Sequence, residues 1–231
     1  MILLIDTAQE LGTVALAKEG RVILSEENKM AKEHAAWLHP AISRILAGAK
    51  ITIRELSAVA VVAGPGSYTG LRVGMAAAKG FCYALKIPLI TGNSLALMAE
   101  AMRGEAGENN ALICPMIDAR RDEVFTALYQ SVIGHPSSVI GDVSLTEILP
   151  PQAMILDKNA FDSYLSGNRI IFSGTGAVKL EKMINSGQAI FKPQNSIIQS
   201  FATSSQLDFE GGKWADPVFS APVYLKEFFS Y

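Results

Sequence analysis

The chain has 231 residues, 49% apolar and 18% charged, with a formal net charge of −2. This is a globular balance sized for one large or two small domains. No apolar run approaches the ~20 residues that span a membrane, and the charge excludes nucleic-acid binding by bulk charge while leaving room for a local patch. The two cysteines, Cys82 and Cys114, fit no CxxC pattern and suit a reduced, cytoplasmic setting better than a disulfide framework.

The opening MILLIDTAQELG lacks a basic leader and meets Asp6 at once, so residues 2–5 read as a first strand, not a signal peptide. GTVALAKEG and RVILSEEN read as the hairpin that follows. From Ala31 to Leu46 the apolar positions Leu38, Ile42, Ile45 and Leu46 recur at helical spacing, and Pro40 marks a kink or a first turn. LSAVAVVAG is the next strand, residues 69–85 the next helix, IPLITGN a short strand and SLALMAEAM a helix. The polar stretch RGEAGENN, Arg103 to Asn110, reads as a linker.

After the linker the pattern restarts. LLIDTAQELGTVAL lies over CPMIDARRDEVFTAL, with Asp6 on Asp118, Ala15 on Ala127 and Leu16 on Leu128. VVAGPGS lies over IIFSGTGAV, with Gly64 on Gly174 and Gly66 on Gly176. A repeat of this length implies two similar α/β lobes, not a solenoid. The expected domains are residues 1–105 and 106–231. Two such lobes around a cleft are the architecture of the actin-like superfamily.

The glycine-rich stretch VVAGPGSYTGLRVG is a weak phosphate loop. The Walker pattern G-x-x-x-x-G-K-[ST] fails in spacing and in its lysine, and the G-x-G-x-x-G dinucleotide fingerprint fails in spacing and in its acidic residue. Pro65 also removes a backbone donor. A strand-to-helix turn capped by Ser67 or Thr69 accounts for the same residues. The run G-P-G-S-Y is not the G-x-S-x-G of a serine hydrolase, and no peptidase triad or zinc motif stands out.

The longer string AGPGSYTGLRVGMAAAKGFCYALKIPLITGNSLALMA is more specific than its glycine spacing. It resembles the TsaB (formerly YeaZ) family pattern GPGSFTGLRxG…A-K-G-L-A…IP…V-S-S-L. ILLIDTA, EHAAWLHPAI, MIDARRDEVF and APVYLK resemble further segments of the same family, with Tyr68 for Phe and Lys226 for Arg as departures. Residues 131–212 are less typical. The resemblance implies two duplicated actin-like (ASKHA, ribonuclease H-like) lobes, each a mixed sheet flanked by helices. It implies a non-catalytic subunit that binds TsaD, the enzyme that transfers a threonylcarbamoyl group to the adenosine beside the anticodon of ANN-decoding tRNAs. The ATPase TsaE joins the pair, tRNA is met through the complex, and the isolated chain is a candidate homodimer.

The catalytic paralogue carries a metal-binding H-x-x-x-H pair where this chain has Ser94 and Met98, so the resemblance implies no metal, no cofactor and no catalytic residue here. His34 and His39 are five apart, turned roughly 140° from each other on a helix, and read as partly exposed; His135 stands apart in sequence. Asp6, Asp118, Gly174 and Gly176 would mark a vestigial nucleotide cleft, or the two aspartates cap local backbone donors. On the 69–85 helix, Gly70, Gly74, Ala77, Phe81, Ala84 and Leu85 are expected to face the sheet. The other side, Arg72, Met75, Ala76, Lys79 and Tyr83 with Leu38 and Ile42 of the preceding helix, is the expected partner interface. The competing reading is an ATP-dependent phosphotransferase of the actin-like class.

Overall fold

The computed structural model describes residues 1–28, 33–106, 111–133 and 143–226. They form two compact units, the first drawn from residues 1–94 with 197–224 and the second from residues 95–196 with 225–226. This grouping differs from the expected division at 105/106: the chain returns to the first unit at Ile197. The helix after Ser94 belongs with the second unit, where Gln194 Nε2 donates to Met98 O at 3.1 Å and Asn195 Nδ2 to Ala101 O at 3.2 Å.

In the first unit, β1 (Ile2–Asp6) pairs antiparallel with β2 (Thr13–Lys18), which turns back into β3 (Arg21–Glu27). β4 (Ala58–Gly64) lies parallel to β1, and β5 (Leu89–Asn93) parallel to β4, giving the order β3-β2-β1-β4-β5. Every residue of β1 and β4 is buried, as befits parallel strands covered on both faces. On one face Leu3, Ile5, Val14, Leu16, Val59 and Val61 pack against two helices, α1 (His34–Gly48) and α2 (Tyr68–Leu85). α1 contributes Leu38, Ile42 and Ile45, and α2 contributes Met75, Ala78 and Cys82. α1 starts three residues later than expected; positions 31 and 32 lie outside the described residues. Pro40 sits on its exposed side.

In the second unit, β6 (Leu112–Asp118) pairs antiparallel with β7 (Glu123–Ile133), and β7 with β8 (Val143–Ile155). β9 (Ile170–Ser173) is parallel to β6 and β10 (Ala189–Lys192) parallel to β9. The flanking helices are α3 (Ser94–Ala106), α4 (Asp162–Leu165) and α5 (Ala177–Glu181). Four residues of the expected linker, 103–106, continue α3, and 107–110 lie outside the described residues. The core centres on Phe172, which packs edge-on against Phe161 at 5.1 Å and stacks on Phe191 at 5.3 Å.

The order β8-β7-β6-β9-β10 reproduces that of the first sheet strand for strand, so the repeat is a duplication of topology. The residue alignment needs correction. With Asp6 on Asp118, Leu4 falls on Met116; Leu4 pairs with Ala15 and Met116 with Thr126, so Ala15 corresponds to Thr126, not Ala127. Leu3 likewise falls on Pro115, and their partners are Val59 and Ser173, 114 positions apart. Gly64 and Gly174, 110 apart, therefore stand at different levels of their ladders.

The last helix, α6 (Ile198–Glu210), covers the first sheet and buries Phe201 and Ala202 completely. It also covers the start of the free edge of β3: Gln199 accepts from Val22 N–H and donates to Gly20 O at 2.8 Å. Edge strands need such cover to avoid pairing with other chains. No helix among the described residues is long and apolar enough to cross a membrane. Because Met75 lies in the first core, Met75→Ala should lower the unfolding free energy by about 2–5 kcal/mol; urea denaturation showing a change below ~1 kcal/mol would place that side chain on the surface instead.

Candidate functional site

The loop between β4 and α2 is the natural place to look for a phosphate site. Its donors and its space are taken by the chain itself. Ser67 N–H donates to Ala8 O at 2.6 Å, and Thr7 Oγ1 donates to Gly70 O at 2.7 Å. A Cβ on Gly66 would lie 2.2 Å from Ala8 O, and one on Gly70 2.0 Å from Thr7 O. These glycines therefore admit the 7–8 backbone, where a phosphate loop would turn N–H groups toward a ligand. Ser67 caps α2 by accepting from Gly70 N–H at 3.3 Å, as the turn reading expects.

Asp6 is buried at the end of β1 and accepts a hydrogen bond from Ala8 N–H at 2.9 Å. Burial pushes its carboxyl up to about 6, against the opposing pull of that bond and of the nearby His34. His34 is itself buried, contrary to the expectation of partial exposure. Its Nε2–H donates to Gln9 O at 2.9 Å and its Nδ1 faces the Asn28 amide at 3.5 Å, so the ring ties the 7–12 loop to the ends of β3 and α1. His39 is exposed and meets Phe81 edge-on at 5.6 Å. His135 lies outside the described residues.

In the second unit Asp118 repeats the same local bond, accepting from Arg120 N–H at 2.6 Å. Its burial would raise the carboxyl, but the Lys179 ammonium at 2.6 Å, with the Arg120 N–H, holds it below the usual range. Gly174 lies against Met116 O, where a Cβ would come within 2.3 Å, and Gly176 N–H donates to Met116 O at 3.0 Å. Both glycines are thus occupied with the end of β6. Arg120 and Arg121 both take left-handed backbone, at φ 72° and 51°, which costs a non-glycine residue roughly 1–2 kcal/mol.

The outer side of α2 differs from the expectation in two ways. Met75 joins Leu38 and Ile42 in the core, leaving Ala84 exposed. The buried stripe is wider than expected: Gly70, Gly74 and Ala77 are buried as expected, and Leu71, Met75, Ala78 and Cys82 are buried beside them. Second, Arg72 and Lys79 hold a strap of the chain's own residues, 215–224. Lys79 Nζ donates to Val218 O at 3.2 Å and Ser220 O at 2.9 Å. Arg72 Nε donates to Tyr224 Oη at 3.2 Å while its guanidinium lies 4.0 Å above the Tyr68 ring. Val223 N–H then donates to Ala63 O at 2.7 Å. The strap was missed in the sequence; the only signal for it was the family-like string APVYLK. Ala76, Gly80 and Tyr83 remain exposed on α2.

Ser94 and Met98 are completely buried. A thioether and a hydroxyl inside packed protein do not make a site for a divalent metal. Among the described residues no three His, Cys, Asp or Glu side chains cluster at metal-binding distance. Burial pushes the thiols up, Cys82 to about 11 and Cys114 to about 12, so neither is a reactive thiolate.

The family model described as TsaD, tRNA N6-adenosine threonylcarbamoyltransferase, matches residues 22–211. The chain belongs to the TsaD family. Inside that family its similarity runs to the TsaB (YeaZ) proteins, as the motifs implied. It is 37% identical over 141 residues, 61% of the chain, to the tRNA threonylcarbamoyladenosine biosynthesis protein TsaB of Bacillus subtilis. It is 36% identical over 129 residues, 56% of the chain, to TsaB of Escherichia coli. The matches span 60% and 54% of those two proteins. YeaZ from Pseudomonas aeruginosa shares the fold, with a TM-score of 0.71 and 27% identity over 97% of this chain and 99% of that one. The two mixed sheets are the actin-like lobes that the repeat and the motifs implied.

The buried Asp6 makes a measurable difference to stability. The folded chain holds its proton more tightly than the unfolded chain does, so the stability of the neutral acid is complete below about pH 4 and is lost as pH rises through about 6. Asp6→Asn keeps the acceptor for Ala8 N–H without the charge. It should match the wild type near pH 3.5 and exceed it by up to about 3 kcal/mol at pH 8 in urea denaturation. Parallel stability profiles for the two chains would show that Asp6 is not desolvated.

Proposed function

We propose that the chain is a non-catalytic subunit for threonylcarbamoylation of the adenosine beside the anticodon of ANN-decoding tRNAs, and that it acts by binding TsaD. The observation that carries this reading is the packing of the Thr7 and Ala8 carbonyls into the glycine loop after β4. In a family described as a transferase, that packing fills the place where a phosphate would approach, while the positions of the metal-binding pair hold Ser94 and Met98. The names of the curated relatives support the pathway. On this reading the chain works in the cytoplasm, uses no cofactor of its own, meets tRNA through the complex and is joined by the ATPase TsaE. Asp6, Asp118, Gly174 and Gly176 are remnants of a nucleotide cleft, now used for local backbone bonds.

The docking face for TsaD, or for a second copy when TsaD is absent, is the outer side of α2 with α1 beside it. Leu38, Ile42 and Met75 are removed from that face by their burial, and Arg72 and Lys79 contribute through the strap they hold. Ala76 and Gly80 allow a second helix to come close, and Tyr83, 84% exposed, supplies an aromatic anchor. One patch then serves both a two-fold homodimer and a pseudo-two-fold heterodimer.

The test is co-purification with the host's TsaD, followed by tRNA modification with and without this chain. Modification should require the chain. Ala76→Arg should abolish co-purification with an unchanged melting transition, because Ala76 is exposed. A folded variant that still binds TsaD places the interface elsewhere. Steady ATP turnover by the isolated chain, abolished by Asp6→Asn, would favour the phosphotransferase reading.

A further inference from the structure

The β6–β7 hairpin ends in a turn whose sequence and shape disagree. Its ladder closes with Asp118 opposite Val124, and Ala119 N–H donates to Glu123 O at 3.0 Å. Between them the left-handed positions, where glycine or asparagine would relieve the backbone, hold Arg120 and Arg121. The surroundings hold this shape firmly. Lys179 Nζ donates to Asp118 Oδ1 at 2.6 Å, to Arg121 O at 2.6 Å and to Glu123 O at 3.1 Å. Leu156 N–H donates to Asp122 O at 2.8 Å. Strain that is kept and buttressed in this way is a reason to look for a function.

The charges around the turn are arranged to leave the arginines available. Asp118 is paired with Lys179, and Glu123 with Lys226. Both arginines are exposed, and neither guanidinium has a hydrogen-bonded or ion-paired partner among the described residues, although the Arg120 charge adds to the pull on Asp118. Asp122 is the one carboxylate of the turn outside these pairs. The backbone of the turn is thereby fixed, and two adjacent arginine side chains extend from it into solvent. Arg is suited to bidentate contact with phosphate oxygens. Phosphate oxygens of either a nucleotide or a nucleic-acid backbone would suit such a pair, and the proposed place in tRNA modification is what selects the RNA backbone.

We propose that the Arg120–Arg121 turn binds the phosphate backbone of RNA, so that this chain touches tRNA directly. The substrate class rests on the proposed place in tRNA modification; the site rests on the turn. The chain's net charge of −2 makes such binding depend on this local pair.

The experiment measures anisotropy of a labelled ANN-decoding tRNA transcript with the full-length chain across a salt series. The double variant Arg120→Gly, Arg121→Gly suits the left-handed backbone. It should melt at or above the wild-type temperature, bind tRNA at least about tenfold more weakly, and flatten the slope of log K against log salt by about two, one for each phosphate the arginines no longer neutralise. Wild-type affinity and slope in the folded double variant overturn the proposal, as does a wild-type chain that does not bind tRNA at low salt. Unchanged tRNA binding together with abolished binding of labelled ATP would assign the turn to a nucleotide and overturn the RNA contact. Co-purification of the double variant with TsaD is read alongside: retained TsaD binding without an effect on tRNA sinks this proposal alone and leaves the subunit role standing.

Discussion

The close approach of the Thr7–Ala8 backbone to the start of α2 is the contact on which the first unit depends. Gly66 and Gly70 are needed because carbonyl oxygens stand where their side chains would be. That approach gives the Ser67 N–H at the helix start an acceptor in Ala8 O and gives the buried Thr7 hydroxyl one in Gly70 O, so neither donor needs water or a ligand. It also turns Asp6 inward onto Ala8 N–H, away from solvent. The same atoms that build a stable loop occupy the space and the Ser67 N–H that an open phosphate-binding loop would leave free.

Lysine plays the same part in both units. Lys79 and Lys179 each turn an ammonium toward backbone carbonyls of a segment distant in sequence, the strap in one case and the hairpin turn in the other. An ammonium carries three donors and no acceptor, so one side chain can hold an irregular segment that has no ladder of its own. Arg72 adds a planar group that meets both Tyr68 and Tyr224, combining a cation–π contact with a hydrogen bond. In consequence the exposed side of α2 carries Ala76, Gly80 and Tyr83 beside a strap that is already in place, with Val218 and Phe219 exposed on it.

The duplication preserved topology more faithfully than residues. Both sheets place their first strand at the centre, a hairpin on one side and two parallel strands on the other. Both first strands end in an aspartate that caps the N–H two residues on. Beyond that the copies diverge. β9 has four residues where β4 has seven, so Gly174 meets Met116 O while Gly64 stands beyond the paired part of β1.

The sequence alone determined the strands of the first unit, the two-lobe plan, the capped turn after β4 and the family, because these rest on local periodicity, turn chemistry and contiguous motifs; it did not locate β8, β10 or α6. It did not determine which residues of α1 and α2 face out. The expected stripe put Met75 outside, but the buried arc of α2 runs from Gly70 and Gly74 round to Met75 and Ala78, because both the sheet and α1 pack on it. Nor did it place His34, whose partners Gln9 and Asn28 come from other elements, or show that Arg72 and Lys79 were committed to residues 218–224. Those pairings join positions more than a hundred apart, and such contacts leave no periodic trace. Only the tertiary structure could decide them, because each depends on backbone carbonyls whose positions exist only once the chain has folded.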